Sequence, residues 1–199
     1  MSRRARRNLM VVALPAVAML AVTLTVVLAP AAPDDRMLET DPYDVLLTEE
    51  ELPEWDLIRK SRSLPSPQWN QTRTASAAFT NYSGHADHAL LDITLCQFST
   101  VHNATAYYDG WRSFYDQHYG SGLYADYDVA RTTPGVGSSS TLWVVNSLYN
   151  VSDHATMVFT YRNAMCLLHV MCPTREADIG DMATEITRLQ VEKINEYLG

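Results

Sequence analysis

The sequence has few of the residues that mark disordered or nucleic-acid-binding proteins. Only 8 of its 199 residues are glycine and 9 are proline, too few for a low-complexity or linker protein. Basic residues are also scarce, with 15 Lys and Arg against 23 Asp and Glu. Four arginines and two aspartates precede Arg36, so the net charge changes from −8 for the chain to −10 from Arg36 onward. Such a domain lacks the basic face that neutralises phosphates, and we expect no nucleic-acid partner.

Cysteine is scarce too, and the three present restrict the possible disulfides. Cys166 and Cys172 belong to one apolar run, and as a strand of about 3.3 Å per residue it would hold them roughly 20 Å apart. A disulfide needs Cα atoms within about 7 Å, so these two cannot pair. An exported domain favours oxidised cysteines, which makes Cys96–Cys172 the preferred disulfide. The alternative is three buried free thiols.

One long apolar segment lies near the N-terminus. Residues 9–29 contain no charged residue, and at about 1.5 Å per residue they span roughly 30 Å, the thickness of a bilayer core. Residues 1–8 are rich in arginine, which predicts a cytoplasmic N-terminus and delivery of the following chain to the outside. The segment is either an uncleaved signal anchor, giving a single-pass membrane protein, or a signal peptide cleaved near Ala31, giving a secreted one.

The segment after the apolar run is acidic. Residues 34–56 hold ten Asp and Glu residues and a single basic residue, Arg36. A charge run of this kind is typical of a solvated linker, so we predict a tether over residues 30–42. The apolar residues Val45, Leu46 and Leu47 are expected to pack on the domain, which we place at residues 43–199.

Several segments of the domain have the residue pattern of β-strands, and two others have a helical pattern. Period-two alternation predicts a strand at 89–98, and further β-rich segments at 75–82, 142–149, 155–161 and 165–172, with a short one near 123–129, bring the number of strands to five or six. Their short connectors predict an antiparallel C-terminal meander. Apolar residues at three- and four-residue spacing predict a helix that Ser99 and Thr100 begin and Gly120 ends, and another after Pro173. The sequence therefore predicts an α+β domain in which two amphipathic helices cover an antiparallel sheet.

One short segment combines metal-ligand side chains. His85, Asp87 and His88 lie within four residues, and imidazole and carboxylate groups suit zinc or copper. The alternative is a solvated hairpin turn, because the segment brings no further ligand. We expect no cofactor.

The remaining histidines and one glycine pair have simpler interpretations. His118 and His169 have apolar or aromatic neighbours and are expected to be hydrogen-bonded core histidines. His154 follows a turn and is expected to be exposed. Gly135 and Gly137 run into a predicted strand rather than a helix, so they do not form a nucleotide phosphate loop.

Aromatic residues are more numerous on the first helix than one buried stripe requires. Large rigid rings outside a core are typical of binding surfaces because they bury area at low entropic cost. We therefore predict a ligand- or partner-binding surface that includes Tyr107, Trp111, Tyr119 and Tyr124. The alternative is that these rings fill the core of a small domain.

Three sequence features resemble small exported bacterial domains. They are the entry segment 51–55, the helix 104–111 after a strand ending at Phe98 and Ser99, and the Gly135–Ser138 loop before a meander and final helix. This layout resembles the LpqN-type lipoproteins and the extracellular sensor domain of PknH-type kinases, over most of residues 45–197. The resemblance implies a ligand- or partner-binding α+β sandwich at the cell envelope, and no catalytic residue carries over. A lipid-anchored cysteine and a kinase domain are both missing here.

These observations lead to three functional hypotheses. The first is a membrane-anchored extracytoplasmic domain that binds a protein partner or small ligand without catalysing a reaction. The second is an exported metal-dependent or hydrolytic enzyme that uses His85, Asp87 or His88. The third is a structural spacer or subunit of a membrane complex.

Overall fold

The computed structural model describes residues 36–81, 89–147, 152–173 and 178–198. They belong to one compact unit that begins at Arg36. Within these ranges, no helix combines the length and apolar character needed to cross a bilayer. The predicted membrane span at residues 9–29 and the basic segment 1–8 lie outside the described residues.

The described residues form a seven-stranded sheet with three α-helices. The strand order is β1-β2-β3-β7-β6-β5-β4 and every neighbouring pair is antiparallel. The strands are β1 (Asp56–Ser63), β2 (Gln71–Asn81), β3 (Ala89–Phe98), β4 (Tyr127–Thr132), β5 (Ser139–Ser147), β6 (Asp153–Tyr161) and β7 (Ala164–Cys172), and the helices are α1 (Pro42–Val45), α2 (Val101–Tyr119) and α3 (Ile179–Glu196). The predicted α+β class and the antiparallel meander are confirmed, whereas the predicted number of strands, five or six, is too low.

The strand that the sequence did not reveal is β1. It lies at one edge of the sheet, paired only with β2, and all eight of its residues keep some exposure. An edge strand that buries neither face needs no alternation of apolar and polar residues, so Asp56–Ser63 carries no period-two signal. The other edge strand, β4, begins at Tyr127 rather than at Leu123, which is 79% exposed within a short 3₁₀ turn (Gly122–Tyr124).

Helices cover opposite faces of this sheet. On one face α3 places Ile179 and Ile186 against a large core that includes Phe79 and Ile93. On the other face α2 packs over Trp143, Val158 and Met165. The two predicted amphipathic helices therefore enclose the sheet in a three-layer arrangement, as the apolar stripes of the sequence indicate.

The start and end of α2 follow its sequence signals. Thr100 is the N-cap, and its hydroxyl oxygen accepts a hydrogen bond from the Asn103 N–H at 3.1 Å. Such a cap satisfies one of the backbone donors left free in the first turn. The helix ends at Tyr119, and Gly120 is its C-cap. Both predicted boundaries are confirmed.

The acidic segment before β1 is largely fastened to the domain. Leu38 is 1% exposed, and its backbone is bonded by the Asn163 side chain, which accepts from the Leu38 N–H at 2.7 Å and donates to the Leu38 carbonyl at 3.1 Å. The side chain of Gln190 on α3 likewise donates to the Val45 carbonyl at 2.9 Å and accepts from the Leu47 N–H at 3.3 Å. Packed structure thus begins at Leu38, inside the predicted tether 30–42.

One ion pair completes this attachment. Lys193 on α3, whose side chain is 9% exposed, donates to the Glu51 carboxylate. Glu51 also accepts from the backbone and hydroxyl of Thr48. Hydrogen bonds from Lys193 and Thr48 outweigh the opposing effect of burial and lower the pKa of Glu51. An acidic run can therefore be part of a fold when its carboxylates have donors and its apolar residues reach the core.

The predicted Cys96–Cys172 disulfide is wrong: all three cysteines are buried free thiols. Cys96 on β3 lies opposite Met165 of β7, seven residues along that strand from Cys172, so the two cysteines are separated by more than 20 Å at about 3.3 Å per residue. Cys166 lies opposite Leu95, which puts it on the other face of the sheet from Cys96. The alternative of three buried thiols is the one that the structure adopts.

Candidate functional site

Helix α2 is anchored on its sheet face by two tyrosine hydroxyls. Tyr108 is hydrogen-bonded to Thr141 of β5 at 2.7 Å, and Tyr119 is hydrogen-bonded to Thr156 of β6 at 2.8 Å. All four residues of these two pairs are buried, so the bonds satisfy groups that water cannot reach. The two hydrogen bonds fix the rotation of α2 about its axis. Its two flanks, on either side of the face that contacts the sheet, therefore border different cavities.

One flank of α2 borders an aromatic groove, which we define by its lining residues Trp69, Tyr107, Gly110, Trp111 and Phe114. Its volume is about 370 Å³, within the range of small-molecule sites. The ring centroids of Trp69 and Tyr107 are 5.5 Å apart, and those of Trp111 and Phe114 are 5.6 Å apart. Trp69 is nevertheless 44% exposed and Phe114 52% exposed. These rings contact each other at the groove while leaving much of their surface in water.

Gly110 keeps the groove open in the middle of α2. A Cβ added at this position would meet no atom within 4 Å. Glycine inside a helix destabilises it by about 0.5–1 kcal/mol relative to alanine, so packing gives no reason for this residue here. Its absent side chain leaves space between Tyr107 and Phe114.

A second set of rings lies at the C-terminal end of α2, and we call it the His–Tyr cluster: His118, Tyr119, Tyr124, His154 and His169. His118 Nε2 is hydrogen-bonded to the Tyr124 hydroxyl at 2.9 Å. His169 Nδ1 is bonded at 3.0 Å to the Thr156 hydroxyl, which also holds Tyr119. The ring centroid of His154 lies 5.5 Å from that of His169 and 5.9 Å from that of Tyr119.

Burial favours the neutral forms of four members of the His–Tyr cluster: Tyr119, Tyr124, His154 and His169. It lowers the pKa of His154 from 6.5 to about 4, with His169 and His118 adding repulsion and Asp153 opposing the shift. Burial also lowers the pKa of His169, against the attraction of Asp92. The same cause raises the pKa of Tyr119 and Tyr124. The hydrogen bonds from His118 to Tyr124 and from Thr156 to Tyr119 and His169 connect these rings into a network that supports α2.

The structure divides the four predicted binding residues between these two places. Tyr107 and Trp111 line the aromatic groove. Tyr119 is 8% exposed and Tyr124 bonds His118, so both belong to the His–Tyr cluster. Tyr119 therefore fills the core, as the alternative interpretation states, whereas binding at Tyr107 and Trp111 stays a prediction.

The predicted histidine roles are partly met. His118 and His169 are hydrogen-bonded, as expected, but both are half-buried rather than enclosed in the core. His154 is half-buried instead of exposed, because β6 turns it towards α2 beside Tyr119. The candidate metal ligands His85, Asp87 and His88 lie outside the described residues. Within the ranges that are described, no group of three His, Cys, Asp or Glu side chains is arranged to hold a metal ion.

The sequence analysis missed Trp69. It lies in a 3₁₀ turn, Pro67–Trp69, that Asn70 ends with a positive φ of 55°. Pro67 and Asn70 are the turn signals that could have revealed this element, since proline favours the first helical position and asparagine tolerates the left-handed region. That Trp69 would reach Tyr107 depends on the pairing of β2 with β3, which the local sequence does not specify.

The fold and the groove together place this domain in a structural class, that of three-layer α+β domains, with an open aromatic groove beside one helix. No protein-family model matches the chain, and no curated protein matches it. Among solved structures it is similar to the crystal structure of the extracellular domain of PknH from Mycobacterium tuberculosis, with a TM-score of 0.54 over 84% of this chain and 98% of that chain. The two sequences are 11% identical, so the similarity concerns the fold. It supports the PknH-type resemblance at that level.

Proposed function

We propose that this chain is a membrane-anchored protein whose extracytoplasmic domain binds an uncharged, apolar small ligand in the aromatic groove without catalysing a reaction. The observation that carries the proposal is the groove itself. Its four rings and one glycine supply contact area that is mostly apolar, and the polar side-chain groups among them are the Tyr107 hydroxyl and the indole N–H groups of Trp69 and Trp111. A structural spacer would have no use for half-exposed tryptophan and phenylalanine rings around an open glycine.

The chemistry of the lining selects the ligand. Among the residues that the structure describes, those that line the groove are all uncharged, so a charged group placed there would lose its hydration without gaining a partner from them. A volume of about 370 Å³ suits a small molecule, whereas a protein partner would need roughly 800 Å² of surface on each side. We therefore assign the groove to a small apolar or aromatic molecule.

Labelling the tryptophans with fluorine tests this assignment, using 2-naphthol as an uncharged aromatic probe. The full chain has four tryptophans, and in fluorine NMR we expect saturable shifts of the Trp69 and Trp111 signals. Trp55 and Trp143 are 7% and 1% exposed and serve as internal controls that should not shift. An absence of saturable shifts at Trp69 and Trp111 would contradict the proposal and favour a spacer.

Gly110→Leu provides the decisive variant. A leucine side chain in the open space at Gly110 should fill the groove and weaken 2-naphthol binding at least tenfold. Leucine is a better helix former than glycine, so the variant should fold at least as stably and lost binding cannot be ascribed to unfolding. Gln117→Leu, exposed on the same helix and outside the groove, is the matched control and should bind normally. Equal binding by Gly110→Leu and the unmodified chain would rule out the groove.

The location of the domain is supported by the arginine-rich segment before the apolar run and by the fold of an extracellular domain. Alkaline phosphatase fused after Gly199 should be active, because this enzyme needs the oxidising exterior to form its disulfides. A reporter that works only in the cytoplasm should be inactive at the same position. The reverse pattern would place the domain inside the cell and leave the groove proposal to be judged on ligand binding alone.

A further inference from the structure

The other flank of α2 borders a second cavity, of about 360 Å³, between the helix and the connection from β4 to β5. We call it the arginine pocket. The lining of the groove is aromatic, whereas that of the arginine pocket is polar and contains Arg112, Arg131 and Asp109. Its hydroxyl-bearing residues come from α2 (Thr105), from the loop between β4 and β5 (Thr133, Ser138) and from the start of β5 (Ser139, Ser140, Thr141). The groove and the pocket share no lining residue, so each can be occupied or altered without the other.

The loop wall of the arginine pocket is held in one conformation. Gly135 and Gly137 have positive φ values of 71° and 70°, which side-chain-bearing residues rarely adopt. Between them Val136 is 8% exposed, and its N–H donates to the Ser140 hydroxyl at 3.1 Å. The Ser138 N–H donates to the Thr160 carbonyl at 2.7 Å. The pocket therefore exists before any ligand arrives.

Both arginines are positioned by aspartates that leave most of their donors free for a ligand. Arg131 forms an ion pair with Asp116, with Nε 2.8 Å from Oδ1, and the same oxygen accepts a hydrogen bond from the indole N–H of the buried Trp143 at 3.1 Å. Arg112 forms an ion pair with Asp109, with Nη2 3.2 Å from Oδ1. Each ion pair engages one nitrogen of a guanidinium group, which has five N–H donors in all. The remaining donors have the fork geometry that matches a carboxylate or phosphate.

We propose that the arginine pocket binds a small hydroxylated anion, such as a sugar acid or sugar phosphate. Its carboxylate or phosphate group would lie against Arg112 and Arg131, and its hydroxyls would bond the side chains of the loop. The two aspartates balance the two arginines, so recognition relies on directed hydrogen bonds rather than on net charge. The overall charge of the domain, −10, repels anions at long range, so the binding of an anion here has to come from these short-range hydrogen bonds.

This site differs from a nucleotide phosphate loop in the source of its donors. In such loops the backbone N–H groups at a helix N-terminus hold the anion, and here the glycine loop leads into β5. The donors of the arginine pocket come from side chains on α2 and β4. The sequence pattern Gly135–Gly137 is thus explained by the shape of the loop wall.

Calorimetric titration of the full chain with glucose 6-phosphate and with glucuronate tests the proposal. We expect saturable binding of at least one of them, and at least tenfold weaker binding of glucose, which lacks the anionic group. Inorganic phosphate, which lacks the hydroxyls, should also bind more weakly than glucose 6-phosphate. Tighter binding of glucose 6-phosphate would identify phosphate as the preferred group, and tighter binding of glucuronate would identify carboxylate.

Arg112→Gln and Arg131→Gln should each weaken this binding at least tenfold while leaving 2-naphthol binding in the groove unchanged. The control is Arg188→Gln, which removes an exposed arginine paired at 3.1 Å with Glu185 on α3, across the sheet. It should bind the charged sugars normally. The proposal is overturned if neither charged sugar binds saturably at millimolar concentration, or if Arg188→Gln weakens binding as much as the pocket variants do.

Discussion

Replacing Gly137 with alanine is expected to lower the free energy of unfolding by about 2–5 kcal/mol, the largest change that we predict for the addition of one methyl group. A non-glycine residue in the left-handed region costs about 1–2 kcal/mol, and the φ of Gly137 is 70°. Its new Cβ would also lie 2.4 Å from the carbonyl oxygen of Thr160. That oxygen accepts the Ser138 N–H bond, so it cannot move without breaking the contact between the loop and β6.

Two other glycines separate these contributions. Gly135 has nearly the same φ, 71°, and open space around its Cβ position, so Gly135→Ala should cost only about 1–2 kcal/mol. Gly110 lies in α2 with open space and helical backbone, so Gly110→Ala should stabilise the protein by about 0.5–1 kcal/mol. Urea denaturation of the three variants of the full chain measures all three values. Equal losses at Gly135 and Gly137 would show that the Thr160 contact contributes nothing.

How much of this could be predicted from sequence depends on whether a residue's role is set by its neighbours along the chain. The cap at Thr100 and the end of α2 at Gly120 are local events, and the sequence indicates both. Alternation reveals β3, and a continuous apolar run reveals β7, because burial of one face or of both faces imposes these patterns. The edge strand β1 buries neither face and leaves no such pattern.

The candidate site was harder to predict because it combines residues distant in sequence. Rings at positions 107 and 111 belong to one helix and were recognisable as a surplus. Trp69, however, reaches Tyr107 only through the arrangement of β2 and β3. The preferred disulfide failed for the same reason, because the register of β3 against β7, which places Cys96 opposite Met165, cannot be derived from the spacing of the cysteines.

The position of His154 leads to the second large effect, a loss of stability in mild acid. The pKa of His154 is lowered from 6.5 to about 4 in the fold, so the unfolded chain binds the proton more tightly than the folded one. Stability is therefore complete above about pH 6.5, is lost as the pH falls towards 4, and changes no further through this group below that value. A shift of one unit corresponds to about 1.4 kcal/mol. Because solvent screens a half-exposed ring, we expect a loss of about 1–2 kcal/mol between pH 7 and pH 5.

Thermal denaturation of the full chain between these pH values measures this loss, and His154→Gln identifies its source. The variant should be less stable than the unmodified chain at pH 7, because it loses the ring contacts with Tyr119 and His169. Its melting temperature should depend less on pH, since one proton-binding group has been removed. The pKa of His169 is lowered in the same direction, so some dependence of the melting temperature on pH should remain.

His102→Gln, on the exposed first turn of α2, is the control and should keep the full dependence on pH. The carboxylates of Asp41 and Glu51, whose pKa values are lowered, destabilise the fold only when protonated at still lower pH. An unchanged pH dependence in His154→Gln would therefore show that His154 is not held neutral by the contacts described for the His–Tyr cluster.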